Sequence, residues 1–302
     1  MNININNDFI VTNQPSYKLI KHKALSYDKA SLVKHRALAQ TISDETTVPF
    51  NLIYGKYPWN IRINNWYKIN NIWHYYKNAT GNNLINELLG EIVSEYFGID
   101  TIHYEMATLI NDDGTDQIGL ISKNFCQQDS TYKTIEEYEQ AQSIKFSSND
   151  TLDITLSKFE RMCPNNENYL TLKRDIKKLF IRDFYATEID RGAGNLLFGE
   201  KNNNVFLAPL YDYEESFLPD EYIIQKYINC IGKIDINDSR TLTFLKQDYE
   251  CQQLINLLLA IDMNNLLSSV ESRHHIILSE NRRDFYKQHS NKMKKIIKEK
   301  IC

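Results

Sequence analysis

Glycine is scarce in this chain, ten copies in 302 residues, and no Gly-Xaa-Gly-Xaa-Xaa-Gly run occurs. A phosphate-cradling loop of that pattern is therefore excluded. The five cysteines are odd in number, scattered, and never arranged Cys-Xaa-Xaa-Cys, so neither a disulfide framework nor a zinc site is supported. His274-His275 has no flanking ligand and reads as a helix-surface feature rather than a metal site. No apolar run approaches the roughly 18 residues a membrane helix needs. The nearest, Leu254–Met263, is broken by Asn256 and Asp262. The first residues lack a basic segment and an apolar core, which excludes a Sec-type signal peptide and gives a cytoplasmic expectation. A net charge of -4 argues against a globally basic nucleic-acid binder, and no solenoid-length repeat is present.

What is present is a change of periodicity along the chain. Residues 57–77 alternate aromatic or aliphatic residues with Asn pairs, which predicts strands over Tyr57–Ile63, Trp66–Ile69 and Ile72–Lys77 with Asn64-Asn65 and Asn70-Asn71 as turns. A helix over about Asn82–Phe97 comes next, stopped by Gly98, with Glu87, Glu91 and Glu95 on a polar face. Strands over His103–Ile110 and Gln117–Ser122 flank an Asn-Asp-Asp-Gly turn. From about Ile135 the pattern is helical, over Thr134–Lys145, Leu152–Arg161, Asn168–Thr187, Asp220–Ile231, Leu242–Met263, Asn265–Leu278 and Glu280–Ile301. The class is α+β, with a β-rich lobe bearing one main helix over 1–125 and a larger helical lobe over 126–302. The last helix carries eight Lys and Arg; the reading preferred here is a solvated face whose Ile296, Ile297 and Ile301 pack inward.

The helical run is interrupted once, between residues 189 and 217. That stretch holds Asp190, Asn195 five positions later, and Asp212 after a short hairpin with an Asn-Asn-Asn turn. Phosphoryl transfer needs a carboxylate that orients the attacking hydroxyl, together with hard oxygen ligands for magnesium. Asp190 suits the first role, and Asn195 and Asp212 the second. Gly192 and Gly194 are expected to take backbone angles that a Cβ would resist.

The Asp-Arg-Xaa-Xaa-Xaa-Asn loop followed by Pro-Leu-Tyr-Asp resembles the HipA-like atypical Ser/Thr protein kinases, and in length the compact CtkA-type members. The resemblance implies a two-lobed protein-kinase-like fold. It also implies an ATP- and magnesium-dependent protein serine/threonine kinase, able to autophosphorylate, with Asp190 as base and Asn195 and Asp212 as metal ligands. His-Arg-Asp and Asp-Phe-Gly are absent, which sets aside ordinary activation-loop regulation. A phosphate-steadying lysine and its glutamate are expected at Lys77 and Glu87, with Lys68 and Glu91 as second choices. Ile121, Ser122, Lys123, Asn124 and Phe125 are expected to receive adenine, and a mobile loop around Thr46–Gly55, with Gly55, to cover the phosphates. The implied partners are a protein substrate with a Ser/Thr acceptor and an antitoxin or host protein, with delivery into a host cell among the implications. A lipid or small-molecule phosphotransferase would use the same residues. The reading from another class is a kinase-shaped toxin or antitoxin binding module.

Overall fold

The computed structural model describes residues 3–5, 8–22, 28–55, 62–147, 150–162, 166–192, 194–217, 231–232 and 234–302. Most of the strand expected over Tyr57–Ile63 and nearly all of the helix expected over Asp220–Ile231 lie outside these residues, as do Cys163 and Cys230. In chain order the elements begin β1 Ile3–Ile5, β2 Phe9–Val11, β3 Tyr17–Ile20, α1 Lys29–Thr46, α2 Phe50–Tyr54, β4 Trp66–Ile69, β5 Ile72–Lys77 and α3 Gly81–Tyr96. They continue β6 Tyr104–Ile110, β7 Asp116–Lys123, β8 Thr131–Thr134, α4 Ile135–Gln142, α5 Leu152–Met162, α6 Asn166–Ala186, β9 Leu197–Lys201 and β10 Asn204–Leu207. The last are α7 Ser239–Gln247, α8 Tyr249–Leu259, α9 Met263–His274, β11 Ile276–Leu278 and α10 Glu280–Lys300.

Two compact units form, and they do not follow a single cut at residue 125. A sheet unit comprises Gln14–Thr80 and Ile102–Tyr132; a helical unit comprises Met1–Asn13, Gly81–Thr101 and Lys133–Cys302. Helix α3, expected in the β-rich lobe, therefore belongs with the helices. The reason is its burial: Leu84, Ile85, Leu88 and Leu89 are inside, and so are Glu87 and Glu91. The expected polar face is absent at those two glutamates because each is paired. Glu87 accepts the backbone N–H of Tyr213 at 3.0 Å, and Glu91 lies 2.9 Å from Arg273.

In the sheet unit the strand order is β3-β6-β7-β5-β4, with β3 parallel to β6 and the other pairs antiparallel. Leu19, Tyr67, Tyr76, Ala107, Leu109 and Ile121 form a core on one face. The β4–β5 turn is Asn70-Asn71, with φ of 50° and 64°, the conformation a two-residue hairpin needs and Asn tolerates. Asn64-Asn65 instead closes a 3-10 turn. Helix α1, which the periodicity does not announce, starts at an Asp28 cap and ends at Thr47 with φ of 60°. Its Glu45 reaches the hairpin, accepting from Lys68 Nζ and Trp73 Nε1 at 2.6 Å each.

In the helical unit β2 is the middle strand of β1-β2-β11, pairing Phe9 with Leu278 and Val11 with Ile276. The expected Leu242–Met263 helix is two helices, because Asp248 caps α8 by accepting from Cys251 N. The end of the expected Asn265–Leu278 helix is β11, reached through His275 at φ of 52°. His274 is buried rather than on the surface. Ile297 and Ile301 pack inward as expected. Among the described residues, no helix is long and apolar enough to cross a membrane.

Candidate active site

Helix α6 delivers the Asp190 loop. Ile176, Leu179, Phe180, Ile181 and Tyr185 are buried on it, and so are Arg182 and Asp183. The last turns of the helix, buried this completely, must neutralise their own charges. Arg182 Nη1 donates to Asp183 Oδ1 at 2.8 Å, and Arg191 Nε donates to Asp183 Oδ2 at 3.0 Å. Glu188, wholly buried, lies 3.9 Å from Arg182 and 3.7 Å from Arg191. Burial raises the Glu188 pKa while the arginines pull it back. Burial opposes the Arg191 charge, but Asp183 and Glu188 outweigh it and keep the guanidinium protonated.

Glu188 also anchors the loop and the segment beyond Asp212. Its Oε1 accepts the N–H of Asp190 at 2.9 Å, and its Oε2 accepts the hydroxyl of Ser216 at 2.6 Å. The loop then closes on itself, with Gly192 N–H donating to the Asp190 carbonyl at 2.7 Å and Asn195 N–H to the Gly192 carbonyl at 3.0 Å. The Asn195 amide donates to the Asp190 carbonyl at 2.6 Å and to its Oδ2 at 3.1 Å. The five-residue spacing thus brings the two side chains into contact. Gly192 does not have a positive φ; a Cβ at Gly192 or Gly194 would meet nothing within 4 Å.

Asp212 takes the left-handed conformation instead, at φ of 62°. For a non-glycine residue this is uncommon and costs on the order of 1 kcal/mol or more unless neighbours impose it. They do so here. Tyr213 is fully buried against Gly90 of α3, where an added Cβ would lie 2.4 Å from the ring. Its hydroxyl meets Thr101 Oγ1 at 2.5 Å, and the Arg182 guanidinium lies 4.5 Å from its ring centre. The chain enters through Leu210, whose N–H donates to the Asp100 carbonyl at 2.8 Å.

The two segments share one electrostatic environment. Although Asp190 is exposed overall, partial withdrawal from water and then the Asp212 carboxylate raise its pKa, against the Asn195 hydrogen bond. Oxygens of Glu87, Asp212 and Glu214 all lie within 4.8 Å of one another. Carboxylates this close repel one another unless protons or a cation intervene. An all-oxygen donor set of this charge fits magnesium.

Comparison with solved structures gives a match to the proinflammatory kinase CtkA of Helicobacter pylori. The sequences are 17% identical, the TM-score is 0.54, and the match covers 78% of this chain and 90% of that one. In fold, the chain resembles the HipA-like kinases. HipA of Shewanella oneidensis MR-1, from a complex with HipB and operator DNA, is 11% identical with a TM-score of 0.47, over 86% of this chain and 70% of that one. No protein-family model matches the sequence, and no curated protein does.

The remaining expected residues fall in both units. Glu87 lies in the helical unit beside Asp212, a role in which sequence reasoning did not place it. Lys77 ends β5 in the sheet unit, in register with Leu120. Lys68, the second choice, is engaged by Glu45, a residue missed because α1 itself was missed. Ile121 and Ser122 are buried within β7, and Lys123 ends it exposed. Asn124 shapes the turn after β7, its amide donating to the Thr46 carbonyl at 3.2 Å while its Oδ1 accepts from Cys126 N–H; Phe125 comes next, half-buried. The expected Thr46–Gly55 loop contains the short helix α2, ending at Gly55 with φ of 84°. Pro49 caps it from outside, and Phe50 stacks on Tyr54 at 5.3 Å.

Proposed function

We propose that this chain is an ATP- and magnesium-dependent protein serine/threonine kinase. The observation that carries the reading is the Asp190–Asn195 contact with Asp212 acting electrostatically on the same carboxyl, within a fold similar to a kinase. Asp190 orients the acceptor hydroxyl and takes up its proton, which a raised pKa favours. Asn195 and Asp212 hold magnesium. Magnesium supplies charge neutralisation at the phosphates when bound. Lys77 steadies the phosphates, Ile121, Ser122, Lys123, Asn124 and Phe125 receive the adenine, and Gly55 lies in the segment that covers the phosphate end. The acceptor is a Ser or Thr hydroxyl of a protein, the chain's own hydroxyls included, and the proinflammatory description of the Helicobacter kinase supports a host protein as partner.

Calorimetric titration with ATP, with and without magnesium, tests the nucleotide claim, and magnesium-dependent affinity is expected. Its absence in folded protein ends the reading. Mass spectrometry after incubation with magnesium, ATP and a cell lysate then identifies the acceptor. Transfer only to phosphoinositide or to a small-molecule hydroxyl would replace the protein-kinase assignment with another phosphotransferase.

A further inference from the structure

Asp212 is held in an unfavourable conformation by groups that lie outside both the Asp190 loop and the Asp212 segment. One stripe of α3 presents Asn86, Glu87 and Gly90 to the residues just beyond Asp212. Glu87 Oε1 accepts the Tyr213 N–H at 3.0 Å, and the Asn86 amide donates to the Glu214 carbonyl at 3.0 Å. Gly90 leaves room for the Tyr213 ring. The Asn86 amide is itself fixed from the far side of the unit, because its Oδ1 accepts the Tyr286 hydroxyl of α10 at 2.8 Å. Tyr286 is fully buried, its ring edge-on to Phe217 at 5.7 Å. The chain Tyr286–Asn86–Glu214 therefore runs from the last helix to the backbone two residues beyond Asp212.

From this geometry we infer that Asn86 and Tyr286 are positioning residues for Asp212, the first acting on the turn directly and the second by orienting the Asn86 amide. The inference rests on the kinase reading above. Without Asn86 the Glu214 carbonyl loses this hydrogen bond, and one restraint on the left-handed residue goes with it. Partners one shell beyond a metal ligand typically change metal affinity by about 10- to 100-fold when removed.

The test uses the full chain with two readouts, hydrogen exchange of the 211–217 segment in metal-free protein and calorimetric affinity for magnesium with ATP. Asn86→Ala is expected to speed exchange across 211–217 and to weaken magnesium–ATP affinity by about tenfold. Tyr286→Phe keeps the packed ring and removes only the hydroxyl, so it is expected to do both to a smaller degree, and it carries the test should Asn86→Ala fail to fold. Leu156→Ala, a buried substitution on α5, which packs on α6 and α7, serves as a control for general destabilisation and is expected to change neither readout. Parental magnesium–ATP binding with both variants exchanging and binding like the parent overturns the inference alone, as does an equal effect of Leu156→Ala. A parental protein that binds no magnesium–ATP overturns the kinase reading, and the inference with it.

Discussion

The Asp190 loop and the Asp212 turn sit in one unit and are held in different ways. The first hangs on buried ions, two arginines against Asp183 and Glu188. The second touches the same cluster, through Ser216 on Glu188, the Tyr211 carbonyl on Arg191 and the Tyr213 ring under Arg182. Its own restraints are shape and single hydrogen bonds, with Gly90, Asn86 and Glu87 on one side and Thr101, bonded to the Leu210 carbonyl and the Tyr213 hydroxyl, on the other. A buried ion cluster fails abruptly, since removing one member leaves an uncompensated charge. A packed turn fails by degrees, because each restraint is worth about 1 kcal/mol. The loop that carries the proposed base is therefore brittle, and the restraints particular to the segment of the proposed metal ligand are graded.

The largest expected effect concerns chemistry rather than folding. Asp190→Ala should lower single-turnover transfer by about 100- to 10,000-fold while magnesium–ATP affinity stays within a few fold. Asp212→Asn should reduce affinity and transfer together, since it removes a charged ligand. If Asp190→Ala loses affinity equally, the two segments do the same work and the contrast collapses.

Next comes brittleness itself. Arg191→Leu should destabilise the helical unit by about 3–5 kcal/mol in denaturant unfolding, because Asp183 and Glu188 remain buried with one guanidinium fewer. A change under about 1 kcal/mol would mean that the cluster is not dry. Gly90→Ala probes the graded side and should cost about 1–3 kcal/mol, as the new Cβ displaces the Tyr213 ring. A larger loss than that of Arg191→Leu would invert the comparison.

The smallest effect is a gain. The Asp190 pKa is raised by partial burial and by Asp212, so the folded state favours its protonated form. Stability linked to this group is present below the unfolded carboxylate pKa and is lost as pH rises through the folded one. In metal-free protein at neutral pH, Asp190→Asn should therefore melt slightly higher than the parent, and the difference should vanish on acidification. Equal melting temperatures at neutral pH would place Asp190 in an environment indifferent to its charge.

Local signals in the sequence were reliable where the chain makes its own decision. Asn202-Asn203 closes the β9–β10 hairpin with φ of 51° and 64°, just as Asn70-Asn71 closes β4–β5, and both are visible as turn chemistry. The contact of Asp190 with Asn195 comes from their spacing. Features that depend on distant partners were not visible. Helix α1 exposes Val33 and Leu38 while burying His35 and Thr46, which erases the apolar stripe that periodicity detects. Glu87 and Glu91 read as a solvent face because their partners, Tyr213 and Arg273, are more than a hundred residues away. One signal for the buried cluster was available: Arg182-Asp183 interrupts the otherwise apolar run Leu179–Ala186, and charges in such a place require partners.

The pairing of Phe9–Val11 with Ile276–Leu278 also sets the order in which the molecule is completed during synthesis. The sheet unit has all its residues once position 132 has been made. The β1-β2-β11 sheet must wait for position 278, so its middle strand spends most of translation with one edge open. Long-range pairing of this kind is slow and exposes strand edges meanwhile. Pulse-labelled nascent chains should accordingly gain protease resistance in two steps, sheet unit first, with the strand around Ile10 protected only in the second.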